Sequence, residues 1–93
     1  MRTYELVVII HPDLDDEAVN QAIDKIKGWI ETGKGKIVEV QEWGKRRLAY
    51  QIQKQNEGLY YLLKLELDPA SNAEIERNIR ILEPVMRYML VAK

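Results

Sequence analysis

Three consecutive basic residues are the clearest chemical signal in the sequence. Lys45, Arg46 and Arg47 stand at the start of an alternating segment, Leu48 to Ile52, in a chain whose formal net charge is −1. Guanidinium groups carry forked donors that match the oxygens of phosphate groups, so adjacent arginines are typical of sites that bind a phosphate backbone. The triplet therefore indicates binding to an anionic polymer, with ordinary surface solvation as the alternative.

Residues that could support catalysis are few. His11 is the only histidine, Ser71 is the only serine, and cysteine is absent. A single histidine in a His-Pro-Asp turn is more often structural than a general base. No histidine pair or carboxylate set has the spacing of a metal site, and the acidic HPDLDD loop would repel the phosphate that an acylphosphatase must hold. We therefore expect no enzymatic activity, no metal and no cofactor.

Composition favours one globular domain over residues 1–93. The chain is 46% hydrophobic and 31% charged, which is typical of a folded protein and not of a disordered one. No apolar run approaches the roughly 20 residues that cross a bilayer, and the N-terminal segment resembles a strand and not a signal peptide. We expect a cytoplasmic protein. The near-neutral charge argues against a general nucleic-acid binder but allows a local basic patch.

Hydrophobic periodicity and turn residues predict six elements. In chain order they are a strand over residues 3–10, a helix with its apolar stripe over 14–30, a strand over 36–52 interrupted by a bulge or bend at Gly44, a strand over 59–67, a helix that opens at 68–71 and ends before Pro84, and a strand over 85–92. Each of these six predictions depends only on the local sequence pattern.

Polar residues predict where these elements begin and end. Asp13 or Asp15 is expected to cap the first helix, and Gly33 to end it. Ser71, three residues before a glutamate, predicts a capping box for the second helix. The segment Asn56-Glu57-Gly58 predicts the turn between the second and third strands.

The order β-α-β-β-α-β predicts an α+β, ferredoxin-like fold. Two right-handed crossovers place the first and third strands at the centre of a four-stranded antiparallel sheet, with the second and fourth strands at its edges. Both helices then cover one face of the sheet, and the other face is left open.

Alternation along the strands predicts which side chains point to this open face. So much apolar surface is not expected to remain in water, so we expect a protein partner there, with scattered surface aliphatics or a homodimer contact as the alternative. Tyr60 of the third strand could stack on a base, but the first strand has no aromatic residue on this face, so base stacking on the sheet face is not expected. The predicted partner residues are Val7, Ile9, Tyr60, Leu62, Met89 and Val91.

The basic segment also resembles a family signature. The run GKRRLAYQI, from Gly44 to Ile52, resembles the glycine, basic pair, Leu-Ala-Tyr, one residue and isoleucine of the bacterial small-subunit (30S) ribosomal protein six family. The N-terminal R-x-Y-E, the His-Pro turn, the Glu-Trp-Gly before the triplet and the stretch over residues 80–91 are similar to that family in the same order. The resemblance covers essentially the whole chain.

The resemblance implies a ferredoxin-like structural protein of the ribosome. Members of that family bind the central domain of 16S ribosomal RNA together with small-subunit ribosomal protein eighteen, with which they form a heterodimer. Two departures are Gln51, where the family often has proline, and an end at Lys93, where many relatives continue as a polar tail. A ferredoxin-like homodimeric regulatory or ligand-binding domain is the alternative function.

Candidate RNA-binding residues follow from the cations that a strand edge or helix end can present. The basic triplet ranks first, and five further cations follow it. The predicted residues are Lys45, Arg46, Arg47, Arg2, Lys54, Arg80, Arg87 and Lys93.

Overall fold

The computed structural model describes residues 1–93 as four strands and two α-helices. All neighbouring strands are antiparallel, and the sheet order is β2-β3-β1-β4, so the predicted ferredoxin-like α+β fold is confirmed. The elements are β1 (Arg2–Ile10), α1 (Asp16–Thr32), β2 (Lys36–Ile52), β3 (Gln55–Leu67), α2 (Asn72–Arg80) and β4 (Val85–Ala92), with a 3₁₀ turn at Pro69–Ser71.

The hydrophobic core lies between the sheet and the two helices. Even-numbered residues of β1 and odd-numbered residues of β3 face the helices, as period-two alternation predicts. The apolar stripes of α1 and α2 face the sheet, and 16 buried residues form one cluster without a buried polar side chain. Each large aliphatic side chain buried in this way contributes about 1.5–3 kcal/mol to folding. The other face of the sheet carries no helix.

The ends of α1 agree with the sequence prediction. Asp15 is its N-cap, and the carboxylate accepts a hydrogen bond from the backbone N–H of Ala18 at 2.8 Å. Two further acidic residues occupy the first turn, where they complement the positive end of the helix dipole. Gly33 is the C-cap, and its N–H donates to the carbonyl of Trp29 at 3.0 Å.

The capping box predicted at Ser71 is wrong. Ser71 has helical backbone angles (φ −88°, ψ −11°), and its hydroxyl donates to the carbonyl of Gly33 at 3.2 Å. The cap lies earlier, because the Asp68 carboxylate accepts from the backbone N–H of Ala70 at 3.0 Å. Pro69 begins a 3₁₀ turn there, so the serine is already inside the helical path and not at its extended entry.

The turn predicted at Asn56–Gly58 is also wrong. Ile52 pairs with Gln55, so the hairpin turn consists of Gln53 and Lys54, whose φ angles are 51° and 64°. Two successive positive φ angles are typical of the type I′ turn that joins twisted strands. Side chains of these types rarely adopt this conformation, and the sequence therefore carries no turn signal at this position.

Gly58 belongs to β3 and serves packing. It lies opposite Arg46 in the ladder, and a Cβ atom added to it would collide with Cγ2 of Ile9 on the adjacent β1. The glycine therefore lets the central strand bring an isoleucine side chain over the β3 backbone.

Strand β2 departs from regular pairing at three places. The predicted bulge at Gly44 is confirmed, because φ is 79° there and the register with β3 shifts between Glu42 and Gly44. A second shift follows Ile37. The third is the largest: Leu48–Gln51 stand where β3 has only Asn56. We call Leu48–Gln51 the strap.

Candidate functional site

The open face of the sheet is divided into an apolar part and a charged part. Strand register places its side chains in rows that run from β2 across β3 and β1 to β4. The rows are Gly44–Tyr60–Ile9–Arg87, Gln41–Leu62–Val7–Met89 and Glu39–Lys64–Glu5–Val91. The first two rows are largely apolar. In the third row Lys64 lies 3.7 Å from Glu39, and Lys93 lies 3.0 Å from Glu5.

The structure places five of the six predicted partner residues in the two apolar rows, and Val91 at the β4 end of the charged row. Two of them have little free surface, since Ile9 is 9% and Leu62 is 7% exposed. Met89 is 60% and Val91 is 38% exposed, and both lie on the edge strand β4. The accessible part of this patch therefore falls toward β4.

The strap turns over the apolar part and forms a groove of about 340 Å³ against it. Four residues of β2 oppose one of β3, so the strap leaves the plane of the ladder. The Tyr50 hydroxyl accepts a hydrogen bond from Nη1 of Arg87, and the guanidinium carbon lies 5.6 Å from the centroid of the tyrosine ring. Since β2 and β4 are opposite edges, this contact closes the groove across the sheet.

Leu48, Tyr50 and Ile52, which the sequence pattern predicts on one face, all line this groove. Ala49, between Leu48 and Tyr50, borders it as well.

The basic triplet is exposed and has no carboxylate partner. Arg46 lies opposite Gly58, whereas Lys45 and Arg47 lie opposite Leu59 and Glu57 on the other side of the ladder. The only two ion pairs of the structure are Lys64–Glu39 and Lys93–Glu5. Both guanidinium groups are therefore free to meet an anion.

Two further predicted cations lie near the triplet. Lys54 occupies the turn of the same β2–β3 hairpin, and Arg87 lies across the groove, where it already contacts Tyr50. The hairpin and the facing edge strand thus present five of the eight predicted RNA-binding residues around the strap. Two of the five, Lys45 and Arg47, project from the opposite side of the hairpin.

The structure does not bring the remaining three cations to this site. Arg2 and Lys93 lie at the other end of the sheet, and Lys93 is already paired with Glu5. Arg80 belongs to α2 on the helix side, where it donates to the Tyr88 hydroxyl at 3.2 Å. This hydrogen bond raises the pKa of Arg80 above its ordinary value. Local pattern could not separate these three from the rest, because their positions depend on strand pairing.

Trp43 is a residue of the site that the sequence reasoning did not assign. Its ring is stacked with that of Tyr60, with centroids 6.5 Å apart and an angle of 11° between the planes, and it is 40% exposed. The guanidinium of Arg46 lies over the same indole at 5.6 Å. An aromatic residue two positions before a basic triplet was the available signal, because nucleic-acid sites combine the two types.

The candidate catalytic side chains form no constellation. Nδ1 of His11 accepts a hydrogen bond from the backbone N–H of Asp13 at 3.3 Å, within its own turn. The hydroxyl of Ser71 is bound to a backbone carbonyl. No group of three or more histidine, cysteine, aspartate or glutamate side chains is placed to hold a metal ion. None of the helices has the length and apolar character needed to span a membrane.

Comparison with known sequences gives one consistent family. The family model for ribosomal protein S6 matches residues 3–92. The chain is 48% identical over 91 residues to the small ribosomal subunit protein bS6 of Clostridium novyi, covering 98% of this chain and 96% of that protein. It is 40% identical over 93 residues to the bS6 protein of Heliobacterium modesticaldum, covering 100% of this chain and 97% of that protein.

Comparison with solved structures agrees. The 30S ribosomal protein S6 of Thermotoga maritima superposes with a TM-score of 0.93 at 32% identity, covering 99% of this chain and 87% of that one. The C-terminal domain of the MgtC protein of Mycobacterium tuberculosis, with a TM-score of 0.70 and 12% identity, shares the fold alone. The chain belongs to the ribosomal protein S6 family and is a component of the small ribosomal subunit in the cytoplasm.

Proposed function

We propose that this ribosomal protein binds the central domain of 16S ribosomal RNA together with small-subunit ribosomal protein eighteen, as a heterodimer. One observation carries the proposal: the β2–β3 hairpin presents an unpaired basic triplet beside an apolar open face. A cationic surface suits the phosphate backbone, and an exposed apolar surface suits a protein. Family membership favours this function over a regulatory or ligand-binding domain of the same fold.

The RNA contact is assigned to the hairpin cations. Lys45, Arg46, Arg47 and Lys54 are all exposed, and none forms an ion pair. We call the slope of the logarithm of RNA affinity against the logarithm of salt concentration the salt slope. About four phosphate contacts give a salt slope of about −3 to −4, which is typical of weak binding. Because the formal net charge is −1, the rest of the protein adds little long-range attraction. We therefore expect weak RNA binding by the protein alone.

The protein contact is assigned to the open face. Its accessible apolar side chains include Met89 and Val91 on β4, beside the groove under the strap. The edge of β4 is also unpaired in this chain, so a partner strand or helix can extend from the patch along it. A partner that orders this face and contacts the same RNA would strengthen RNA binding by both proteins.

The proposed role is structural and not enzymatic. It is supported by the placement of the single histidine in a turn and of the single serine hydroxyl against a backbone carbonyl. A nucleophile needs an adjacent base, and neither residue has one.

Filter binding of a central-domain RNA fragment tests the proposal. We expect the partner protein to raise RNA affinity by about 5- to 150-fold, the range of a typical coupling free energy. Met89→Asp should remove this gain while preserving the weak binding of the protein alone. Ile81→Asp is the matched control, because Ile81 is 74% exposed and lies beyond the end of α2, away from the open face. Equal affinities with and without the partner would reject cooperative RNA binding with the partner, and absence of binding in both cases would reject the RNA contact.

A further inference from the structure

Arg46 of the basic triplet forms a stack with two aromatic side chains. Trp43 and Arg46 of β2 meet Tyr60 of β3, with the tyrosine ring 6.5 Å and the guanidinium 5.6 Å from the indole. The Gly44 bulge allows this arrangement, since it places Trp43 beside Tyr60 although the ladder pairs Tyr60 with Gly44. The stack lies where the edge strand joins the central strands.

The orientation of the indole is held by hydrogen bonds along β2. The indole N–H donates to Oε1 of Gln41 at 3.0 Å, and Nε2 of Gln41 donates to the carboxylate of Glu39 at 2.8 Å. The polar edge of Trp43 is therefore satisfied, and its remaining capacity is that of an aromatic surface. Although the residue is large and apolar, it is 40% exposed and is not part of the core cluster.

Charge next to this aromatic surface defines the ligand. Arg46 lies over the indole without a carboxylate partner, and Lys45 and Arg47 flank it in the chain. An aliphatic side chain of a protein suits the groove under the strap better than a stack bordered by cations. An RNA duplex presents phosphates but keeps its bases stacked inside. A flat aromatic group joined to an anion is what an unpaired nucleotide presents.

We propose that Trp43, with Tyr60 and Arg46, is a stacking site for one unpaired base of RNA, and that Arg46 holds the phosphate of that nucleotide. A base takes the place of the guanidinium over the indole, and Arg46 then turns its donors to the phosphate of that nucleotide. The proposal rests on the proposed RNA binding and specifies it, because it requires a single-stranded element. The proposal departs from the expectation that bases do not stack on the sheet face, because that expectation did not consider Trp43 of the edge strand beside Tyr60 of β3.

Tryptophan fluorescence gives a direct test. Trp29→Phe leaves Trp43 as the only tryptophan of the chain. In this variant at low salt, we expect single-stranded oligoadenylate of about eight nucleotides to quench the Trp43 emission, because a stacked base contacts the indole. An RNA duplex of the same length and inorganic polyphosphate should bind without comparable quenching. Failure of oligoadenylate to quench would overturn the stacking site.

Affinity measurements separate stacking from charge. Trp43→Leu should weaken oligoadenylate binding by about 5- to 100-fold, the range for loss of one base–aromatic stack, and should leave polyphosphate binding unchanged. Trp43→Tyr, which keeps an aromatic face, should retain most of the affinity. Equal oligoadenylate affinity in Trp43→Leu and the parent protein would overturn the stack. So would an equal loss for polyphosphate, since the tryptophan would then act only by positioning Arg46.

The outcome also distinguishes this proposal from the proposed function. If the parent protein and its partner bind the central-domain RNA while Trp43→Leu binds it equally well, the stacking site fails and RNA binding stands. If the partner protein alone shields Trp43 from an added quencher and RNA does not, the stack is a protein contact and the proposal is wrong. If the parent complex binds no RNA, both proposals fail.

Discussion

Removal of both arginines of the triplet tests the assignment of the RNA surface most directly. Each phosphate contact contributes about 0.7 to 0.9 to the salt slope, so Arg46→Ala combined with Arg47→Ala should reduce its magnitude by about 1.4 to 1.8. If the two proteins bind RNA equally well at 1 M salt, this change in slope makes RNA binding by the double variant about 25- to 60-fold weaker at 0.1 M salt. The slope is measured by filter binding of the central-domain fragment from low to moderate salt.

The same structure predicts a small effect on stability. Neither arginine forms an ion pair, and the double substitution removes only the exposed stacking of Arg46 on Trp43. Stacking of this kind contributes about 0.5–1 kcal/mol at an exposed site, which corresponds to a melting temperature lower by about 2 to 8 °C for a domain of this size. Calorimetry or circular dichroism measures this change. A much larger decrease would show that the pair is structural.

Lys25→Ala combined with Arg77→Ala is the matched control. It makes the same change in net charge at two exposed positions of α1 and α2, on the side of the sheet opposite the open face. We expect the slope to change little in this variant. If the control lowers the slope as much as the double arginine variant, RNA binding follows net charge, and the assignment to the hairpin is refuted.

Two further predictions concern the strap and the core. Arg87→Met removes the hydrogen bond to Tyr50, so hydrogen exchange of the backbone amides in the strap should become about two- to fivefold faster. Arg80→Met on the helix side is the control and should leave this exchange unchanged. Equal exchange in the parent protein and both variants would show that the Arg87–Tyr50 contact does not hold the strap. Burial, followed by the charge of Glu42, raises the pKa of Tyr61 above its ordinary value of about 10. An acid with a raised folded-state pKa stabilises the fold below the unfolded pKa, and this stability is lost as the pH rises through the folded pKa. Denaturation between about pH 9 and 11 should therefore show a smaller loss of stability for Tyr61→Phe, and an equal loss would contradict the burial of the ionisable hydroxyl.

Local sequence pattern was sufficient for the type and order of the elements and for the core. Alternation in β1 predicted that Val7 and Ile9 point to the open face, so that Leu6, Val8 and Ile10 face the helices, and these three are fully buried. The same holds for the stripe of α1 and for its cap at Asp15. These features depend on which side of an element meets the core, and that periodicity is written into neighbouring residues.

Local pattern failed where a distant contact decides the role of a residue. The glycine at position 58 suggested a turn, but it is required because Ile9 of another strand lies against it. Ser71 suggested a cap, but its hydroxyl is used by Gly33, 38 positions away in the chain. In both cases the residue type fits two roles, and only packing between elements distinguishes them.

For the candidate site, sequence alone determined the chemistry that is available: a basic triplet, an apolar open face and almost no catalytic groups. Tertiary structure decided which of these residues act together. Strand register placed five of the eight cations around the strap and left Arg2, Arg80 and Lys93 elsewhere, and the Gly44 bulge brought Trp43 beside Tyr60. Pairing between strands distant in sequence sets these neighbours, because a one-residue change of register moves every side chain to the opposite face.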